Sequence, residues 1–264
     1  MKLLLISNST NFGEPYLAWC QTQIDYFCDK NGISADSNIL FFPFAGVYLG
    51  KKVGDKMVPI PYPESYDVYE ERVQNVFKRW GYNNVHSVHR HANKADAIEK
   101  ADCIVVGGGN TFHLYAEMHK LNLMEKVRGK VKSGTPYIGW SAGSNLACPT
   151  LCTTNDMPIV QPASFDGLNL IPFQINPHYL DPTPEIDKMI KHGGETRQDR
   201  LNEYLAVNQE MTVVGLREAS ALWVDGKKMT LRGGKKLVIM RYKDGKIEIN
   251  DEKEPGSDVS ELLG

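Results

Sequence analysis

The sequence predicts one α/β domain over residues 1–264, built on a doubly wound, mostly parallel, flavodoxin-like sheet. Helices flank this sheet, and antiparallel hairpins extend it near the C-terminus. Three observations lead to this prediction. Short apolar runs alternate with segments of helical periodicity in the first half of the chain, as βα units do. Small or polar residues follow several of these runs, as at strand ends that border a site. Two Asp-Gly pairs, at 225–226 and 244–245, separate β-type runs and indicate tight hairpins.

The first half of the chain supplies the parallel strands and their helices. Residues 2–6 form an apolar run that breaks in the polar turn 7–10, which predicts the first strand. Apolar residues at three- and four-residue spacings from Tyr16 to Cys28 predict a helix that ends at Asn31-Gly32. The other strands predicted in this half are 38–42, 84–88, 103–106 and the run that leads to Ser141, and the other helices are 66–80, 95–101 and 112–131, broken near Asn122.

The remaining segments are less regular. Residues 47–63 contain several Gly, Pro and Lys without a clear period, so we expect a surface excursion or flap within the domain. The last dozen residues are polar, and we expect them to fray. In the second half, the apolar run 168–175 closes at Asn176-Pro177-His178; helices are predicted at 184–190 and 198–205, and strands at 211–216, 221–224, 229–231, 236–241 and 246–249.

Composition narrows the classes of partner and the cellular compartment. A formal net charge of -2 favours neither nucleic acid nor an anionic membrane surface as a partner. No apolar run approaches the length of a membrane span. The five cysteines form no C-x-x-C pair, which favours free thiols in a reducing compartment. We therefore expect a cytoplasmic protein, either a monomer or a small homo-oligomer.

The stretch from Gly139 to Gly143 matches the G-x-S-x-G nucleophile elbow, in which a sharp turn from strand to helix exposes a serine hydroxyl. The apolar run before it and the small residues after it fit such a turn. The pattern is short, so its weight depends on context. Ser141 is the predicted nucleophile.

A serine nucleophile needs a base and an acid that orients the base. Of the seven histidines, His178 follows Asn-Pro at the end of an apolar run, where a strand end would aim it at the elbow. The acid has two candidates. Asp156 fits the usual order of serine, acid and histidine in elbow hydrolases, whereas Glu218 closes a predicted strand and would be held more rigidly. The residues alone leave both open.

Other positions are candidates for hydrogen-bond donors to an oxyanion and for binding a nucleotide or a metal. The backbone N–H of Ala142, and that of Gly109 at the neighbouring strand end, would bind an oxyanion. The Gly107-Gly108-Gly109 turn lacks the spacing of a nucleotide-binding loop. His86, His89 and His91 alternate around a strand end, but no acid or cysteine follows at a metal-binding spacing, so a solvated strand end is favoured.

Seven blocks of the chain follow the order of a known family: 5–10 (LISNST), 42–47 (FPFAGV), 106–112 (VGGGNTF), 137–145 (YIGWSAGSN), 153–160 (TTNDMPIV), 174–178 (QINPH) and 194–197 (GETR). With these blocks the chain resembles peptidase E, the α-aspartyl dipeptidases, which are related to class I glutamine amidotransferases. The resemblance implies Ser141 as nucleophile, His178 as base, and Gly109 and Ala142 as oxyanion donors. It also implies that Arg197 binds the acidic side chain of the substrate, and Asn110 is the second predicted substrate-binding residue. Asp156 and Glu218 both match residues proposed as the third member of the triad.

The resemblance implies hydrolysis of Asp-Xaa dipeptides through an acyl-enzyme, with no metal and no cofactor. Small peptides are the expected partners, rather than nucleic acid or membranes. An alternative within the hydrolases is a cyanophycinase-like enzyme, which shares the fold and an elbow serine but cuts β-aspartyl bonds. An alternative of another class is a catalytically silent binding module on an amidotransferase-like sheet. The presence of both the serine and the histidine argues against that reading.

Overall fold

A mostly parallel seven-stranded sheet forms the centre of the protein, as predicted. The computed structural model describes residues 1–181 and 195–264. The parallel strands are β1 (Lys2–Ile6), β2 (Ile39–Phe42), β5 (Val85–Ser87), β6 (Cys103–Val106) and β7 (Tyr137–Trp140), and the antiparallel strands β10 (Ser220–Asp225) and β11 (Lys228–Gly233) extend the β1 edge. Across the sheet the order is β11-β10-β1-β7-β6-β2-β5. The sheet therefore gains antiparallel strands near the C-terminus.

Helices cover both faces of this sheet. In β1, Leu3 and Leu5 pack into one apolar cluster while Leu4 and Ile6 pack into the other, because successive side chains point to opposite faces. The predicted break near Asn122 is confirmed, since this residue has a left-handed φ of 53°. The helices are α1 (Gln21–Lys30) and α2 (Ser65–Arg79) on one face, and α3 (Lys94–Glu99), α4 (Thr111–Lys120), α5 (Met124–Lys132) and α6 (Ala142–Leu146) on the other.

A second sheet, not predicted from the sequence, carries the rest of the C-terminal strands. It contains β8 (Gln174–Tyr179), β9 (Thr212–Arg217), β12 (Leu237–Lys243) and β13 (Lys246–Lys253) in the order β13-β12-β9-β8, and α7 (Arg197–Val207) packs against it. Asp244 and Gly245 form the predicted two-residue turn, both with positive φ. The β12–β13 hairpin thus exists, but it joins this second sheet rather than the central one.

Residues 47–63 contain an antiparallel hairpin, β3 (Tyr48–Val53) and β4 (Lys56–Pro61), which forms a separate two-stranded sheet. Most of its residues are exposed. Only Leu49, Gly50 and Ile60 are partly buried, so the sequence lacks the regular apolar alternation that indicates a half-buried strand. This is why the two strands were not predicted from the sequence.

The C-terminal residues do not fray, so that prediction is wrong. Val259 and Leu262 are buried against the core. Backbone bonds join Gly256 to Leu231 at 2.8 Å and Val259 to Met229 at 2.9 Å, and a short 3-10 helix (Ser260–Leu263) follows. Two apolar side chains in a polar segment were enough to dock it on β11.

The predicted helix 184–190 and His192 lie outside the described residues. Within the described residues, no helix is long and apolar enough to cross a bilayer.

Candidate active site

The site lies at the carboxyl ends of four adjacent strands, in the order β1-β7-β6-β2. The sequence singled out the residues after each of these runs. Ser7 follows β1, Ser141 follows β7, Gly107 follows β6 and Pro43 follows β2. Because parallel strands end at one edge, these segments meet although they are far apart in the chain.

Ser141 occupies a strained turn between β7 and α6. Its φ is 54° and its ψ is -113°, a conformation that non-glycine residues rarely adopt and that costs about 1–3 kcal/mol. The flanking glycines are required by packing. A β-carbon on Gly139 would lie 2.4 Å from the Gly143 oxygen, and one on Gly143 would lie 2.2 Å from the Val106 oxygen. The G-x-S-x-G pattern therefore reflects close backbone contacts on both sides of the serine.

His178 brings its imidazole to this serine. Its Nε2 lies 2.9 Å from Ser141 Oγ. The residue sits in a bulge of β8, where the pairing with β9 shifts between Pro177 and Tyr179, and its φ is 52°. A bulge turns a side chain away from the ordinary alternation of a strand, and here it coincides with the histidine that contacts the serine.

Glu218 is the acid within hydrogen-bond reach of His178. Its Oε1 lies 2.7 Å from His178 Nδ1, directly beyond the end of β9. Asp156 binds elsewhere: its Oδ2 accepts from the Thr111 N–H at 2.7 Å and from the Thr111 hydroxyl at 2.6 Å. A carboxylate in this position caps the first turn of α4 and interacts favourably with the helix dipole. The geometry therefore distinguishes two carboxylates that the sequence left equivalent.

Ser7 and Asn8 bind the backbone at His178 and next to Glu218, contacts that the sequence did not reveal. The Ser7 hydroxyl accepts from the His178 N–H at 2.9 Å and donates to the Leu216 carbonyl at 2.7 Å. Asn8 Oδ1 accepts from the Ala219 N–H at 2.9 Å. These bonds tie the end of β1 to β8, to β9 and to the turn that follows β9. They join residues 171 to 211 positions apart, so no local pattern could indicate them.

Among the backbone N–H groups near the serine, those of Gly109 and Ala142 have no protein acceptor within the described ranges. Ala142 is the first residue of α6, where N–H groups lack a partner in their own helix. Gly109 has a φ of 133°, and a β-carbon there would lie 2.1 Å from the Ala45 oxygen. Its neighbour Gly108 lies against the serine, since a β-carbon on it would lie 2.9 Å from Ser141 Cβ. Both groups are available to a ligand.

Arg197 and Asn110 are the predicted substrate ligands, and they differ in how many of their side-chain hydrogen-bonding groups already have a partner in the protein. Arg197 opens α7 and donates to the His178 carbonyl. Burial lowers the pKa of Arg197, and the nearby Glu218 carboxylate opposes this shift. Asn110 caps α4 through its Oδ1 and donates to the Met157 carbonyl at 2.9 Å, so its side-chain bonds are structural.

The histidines considered for a metal lie on and directly after β5, the edge strand of the central sheet. His89 Nε2 contacts Asp67 Oδ1 at 2.9 Å, and Asp67, Glu70 and His89 offer ligand atoms within 4.8 Å of one another. Arg90 already bridges the two carboxylates, at 2.8 Å from Asp67 and 2.9 Å from Glu70. We interpret this cluster as an ion-pair network at the end of β5.

Together the contacts form a chain of hydroxyl, imidazole and carboxylate beside two free N–H groups. Proton transfer from the serine to the imidazole would create a cation that the carboxylate stabilises. Acyl transfer requires a serine oxygen that has been made nucleophilic by loss of its proton, and N–H donors nearby that can bind an oxyanion.

Comparisons with known proteins agree with this chemistry. The family model described as Peptidase family S51 matches residues 3–232. Peptidase E of Nostoc sp. is 42% identical over 247 residues, covering 94% of this chain and 92% of that protein. Peptidase E of Shewanella amazonensis is 42% identical over 226 residues, covering 86% of each.

Solved structures show the same fold at low identity. A peptidase from an acI-B1 Actinobacterium superposes with a TM-score of 0.63 at 15% identity, covering 98% of this chain and 96% of that one. A Listeria monocytogenes protein superposes with a TM-score of 0.56 at 20% identity, covering 88% and 98%.

Proposed function

The chain belongs to peptidase family S51, and from this membership we propose that it is a serine dipeptidase that hydrolyses Asp-Xaa dipeptides. The observation that carries the mechanism is the unbroken line of hydrogen bonds from Ser141 through His178 to Glu218, with distances of 2.9 Å and 2.7 Å. The relatives named peptidase E support the class of reaction, and the line of bonds supports the proposed roles of the three residues.

In the proposed reaction, Ser141 Oγ attacks the carbonyl carbon of the aspartyl residue while its proton passes to His178 Nε2. The carbonyl oxygen becomes an oxyanion that the N–H groups of Gly109 and Ala142 bind. Collapse of this intermediate breaks the C–N bond, and His178 gives its proton to the departing amine. Water then attacks the acyl-enzyme with His178 again as base, which releases aspartate and restores Ser141. Glu218 orients the imidazole and stabilises its charged form.

Arg197 is the proposed ligand of the substrate carboxylate. Its guanidinium has five donors, and the described contacts use one of them, to the His178 carbonyl. A planar guanidinium matches a carboxylate in a bidentate fashion. Arg217 is a poor alternative although it precedes Glu218, because it already pairs with Asp181 and donates to the Lys236 carbonyl at 2.8 Å.

The substrate class is tested by comparing three dipeptides with the unmodified protein. We expect rapid hydrolysis of Asp-Leu and at least about 100-fold lower kcat/KM for Asn-Leu, which has the same shape but cannot form an ion pair; this corresponds to about 3 kcal/mol. Release of leucine is measured by chromatography. A β-aspartyl-arginine dipeptide tests the cyanophycinase-like alternative, and faster cleavage of that peptide than of Asp-Leu would favour it.

Arg197→Gln is expected to lower kcat/KM for Asp-Leu by about 100-fold, because the ion pair with the substrate is lost while one donor toward the His178 carbonyl is retained. Acylation by p-nitrophenyl acetate, which has no acidic side chain, should change less than threefold. Arg200→Gln is the control, since Arg200 lies on the same helix and is exposed beside Glu195. Equal loss on the dipeptide and the ester would show that Arg197 supports the fold instead.

We also place the protein in the cytoplasm. The five cysteines are free thiols, four of them buried, and burial raises the pKa of Cys148 to about 12. Thiols held in this form suit a reducing compartment. A monomer or small homo-oligomer stays the prediction for its assembly.

A further inference from the structure

The proposed mechanism depends on where the Gly109 N–H points, and the hydroxyl of Tyr69 binds the peptide group that carries it. We propose that Tyr69 is a positioning residue of the oxyanion site, which holds the Gly108–Gly109 peptide so that its N–H faces the reacting carbonyl. This inference rests on the proposed function, because it assigns a role within that reaction.

The peptide geometry makes the link direct. The Tyr69 hydroxyl donates to the Gly108 carbonyl at 2.9 Å. The carbonyl of Gly108 and the N–H of Gly109 belong to one planar trans peptide and point in opposite directions. Holding the oxygen on the Tyr69 side therefore turns the N–H to the opposite side. That N–H has no acceptor among the described residues.

The following peptide is fixed as well. The Asn110 N–H donates to the Ala45 carbonyl at 2.8 Å. Gly109, between the two fixed peptides, has a φ of 133°, which only glycine adopts without strain. Without a further contact, the Gly108–Gly109 peptide plane next to such a glycine could rotate at little energetic cost. The hydrogen bond from Tyr69 therefore restrains a peptide that would otherwise be free to turn.

The Tyr69 ring is itself held firmly. A β-carbon on Gly46 would lie 2.4 Å from its Cδ1, and one on Gly107 would lie 2.6 Å from its hydroxyl oxygen, so both glycines are shaped around this side chain. Phe41 packs edge-on against the ring at 5.0 Å. The ring is 3% exposed. Burial raises the pKa of Tyr69, so the hydroxyl stays protonated and able to donate at physiological pH.

The same hydroxyl also reaches the elbow. Its oxygen accepts from Trp140 Nε1 at 3.1 Å and from the Tyr16 hydroxyl at 3.3 Å. Trp140 directly precedes Ser141. The Tyr69 oxygen thus connects the turn after β6 with β7, the strand that leads to Ser141. Through these bonds it fixes the position of the Gly109 N–H relative to Ser141 Oγ.

The test is Tyr69→Phe, which removes the hydroxyl and keeps the ring. We expect kcat for Asp-Leu to fall about 10- to 100-fold with KM within twofold, below the loss of about 10²–10³ that follows removal of a whole oxyanion donor. The inhibition constant of a boronic acid analogue of aspartate, which mimics the tetrahedral state, should rise by the same factor as kcat falls. Binding of aspartate, the product, should stay unchanged.

Two comparisons separate positioning from general damage. Tyr16→Phe removes a hydroxyl from the same network but leaves the bond between Tyr69 and Gly108, so kcat should stay within threefold. Replacing Tyr69 by 4-aminophenylalanine restores a donor at the same place and should restore kcat to within fivefold of the unmodified protein. If Tyr69→Phe does not fold, the protein with 4-aminophenylalanine at position 69 becomes the test. If that protein folds but its kcat is more than tenfold below that of the unmodified protein, the inference is overturned.

The burst of p-nitrophenolate from p-nitrophenyl acetate keeps this test independent of the substrate class. It reports acylation of Ser141 without any aspartyl side chain. If the unmodified protein shows the burst but does not cleave Asp-Leu, the proposed substrate is wrong while Tyr69→Phe is still expected to slow the burst at least tenfold. If Tyr69→Phe leaves the burst and the boronic acid affinity unchanged, the role of Tyr69 is refuted and the proposed function stands.

Discussion

Ser141→Ala is expected to abolish hydrolysis of Asp-Leu, with kcat lowered by about 10⁵-fold or more. The reaction needs the oxygen of Ser141, which lies 2.9 Å from His178 Nε2 in a turn whose backbone places it there. The thermal midpoint should change little, since the described contacts of the Ser141 side chain consist of that one bond. Release of leucine over hours, at high enzyme concentration, measures the residual rate.

Ser133→Ala is the matched control for this variant. Ser133 is exposed in the turn that leads into β7, and its hydroxyl donates to the Lys130 carbonyl. Its activity should stay within twofold of the unmodified protein. Unchanged turnover in Ser141→Ala would refute the serine mechanism and, with it, the roles proposed for His178 and Glu218.

Glu218→Gln is expected to lower kcat for Asp-Leu by about 10³- to 10⁴-fold, with KM changed much less. The neutral amide keeps the size of the side chain but removes the charge that stabilises the imidazolium, and its NH₂ group favours the wrong imidazole tautomer. Steady-state kinetics on Asp-Leu measure the effect, and thermal unfolding checks that the fold is intact.

Asp156→Asn provides the comparison that separates the two acids. Its carboxylate accepts two bonds from Thr111, so we expect a loss of stability of about 1–2 kcal/mol and an activity loss of less than tenfold. A kcat loss in Asp156→Asn as large as that in Glu218→Gln, without a change in thermal midpoint, would contradict the assignment of Glu218.

Elements whose signal is local could be predicted from the sequence. The run 103–106 is apolar throughout because both faces of a parallel strand are buried, and the structure has β6 over the same residues. Asn122 and Asp244-Gly245 supplied the backbone conformations that a helix break and a tight hairpin need. The β3–β4 hairpin is local but mostly exposed, so it carries no apolar alternation that would predict it. Elements whose form depends on distant partners could not be predicted either: the second sheet and the docking of Leu262.

For the site, the sequence by itself determined the kinds of chemistry present: an elbow at Ser141, a histidine at a strand end, and glycines where backbone must approach closely. These follow from short-range sterics, which leave a mark on neighbouring residues. Only the tertiary structure decided which acid meets His178, because Asp156 and Glu218 both follow plausible turns and differ only in what folds against them. It also decided that Ser7 holds the base and Tyr69 the peptide of Gly109. Hydrogen bonds between residues so far apart in the chain depend on how strands and helices pack against one another. Such packing produces no periodic pattern in the sequence.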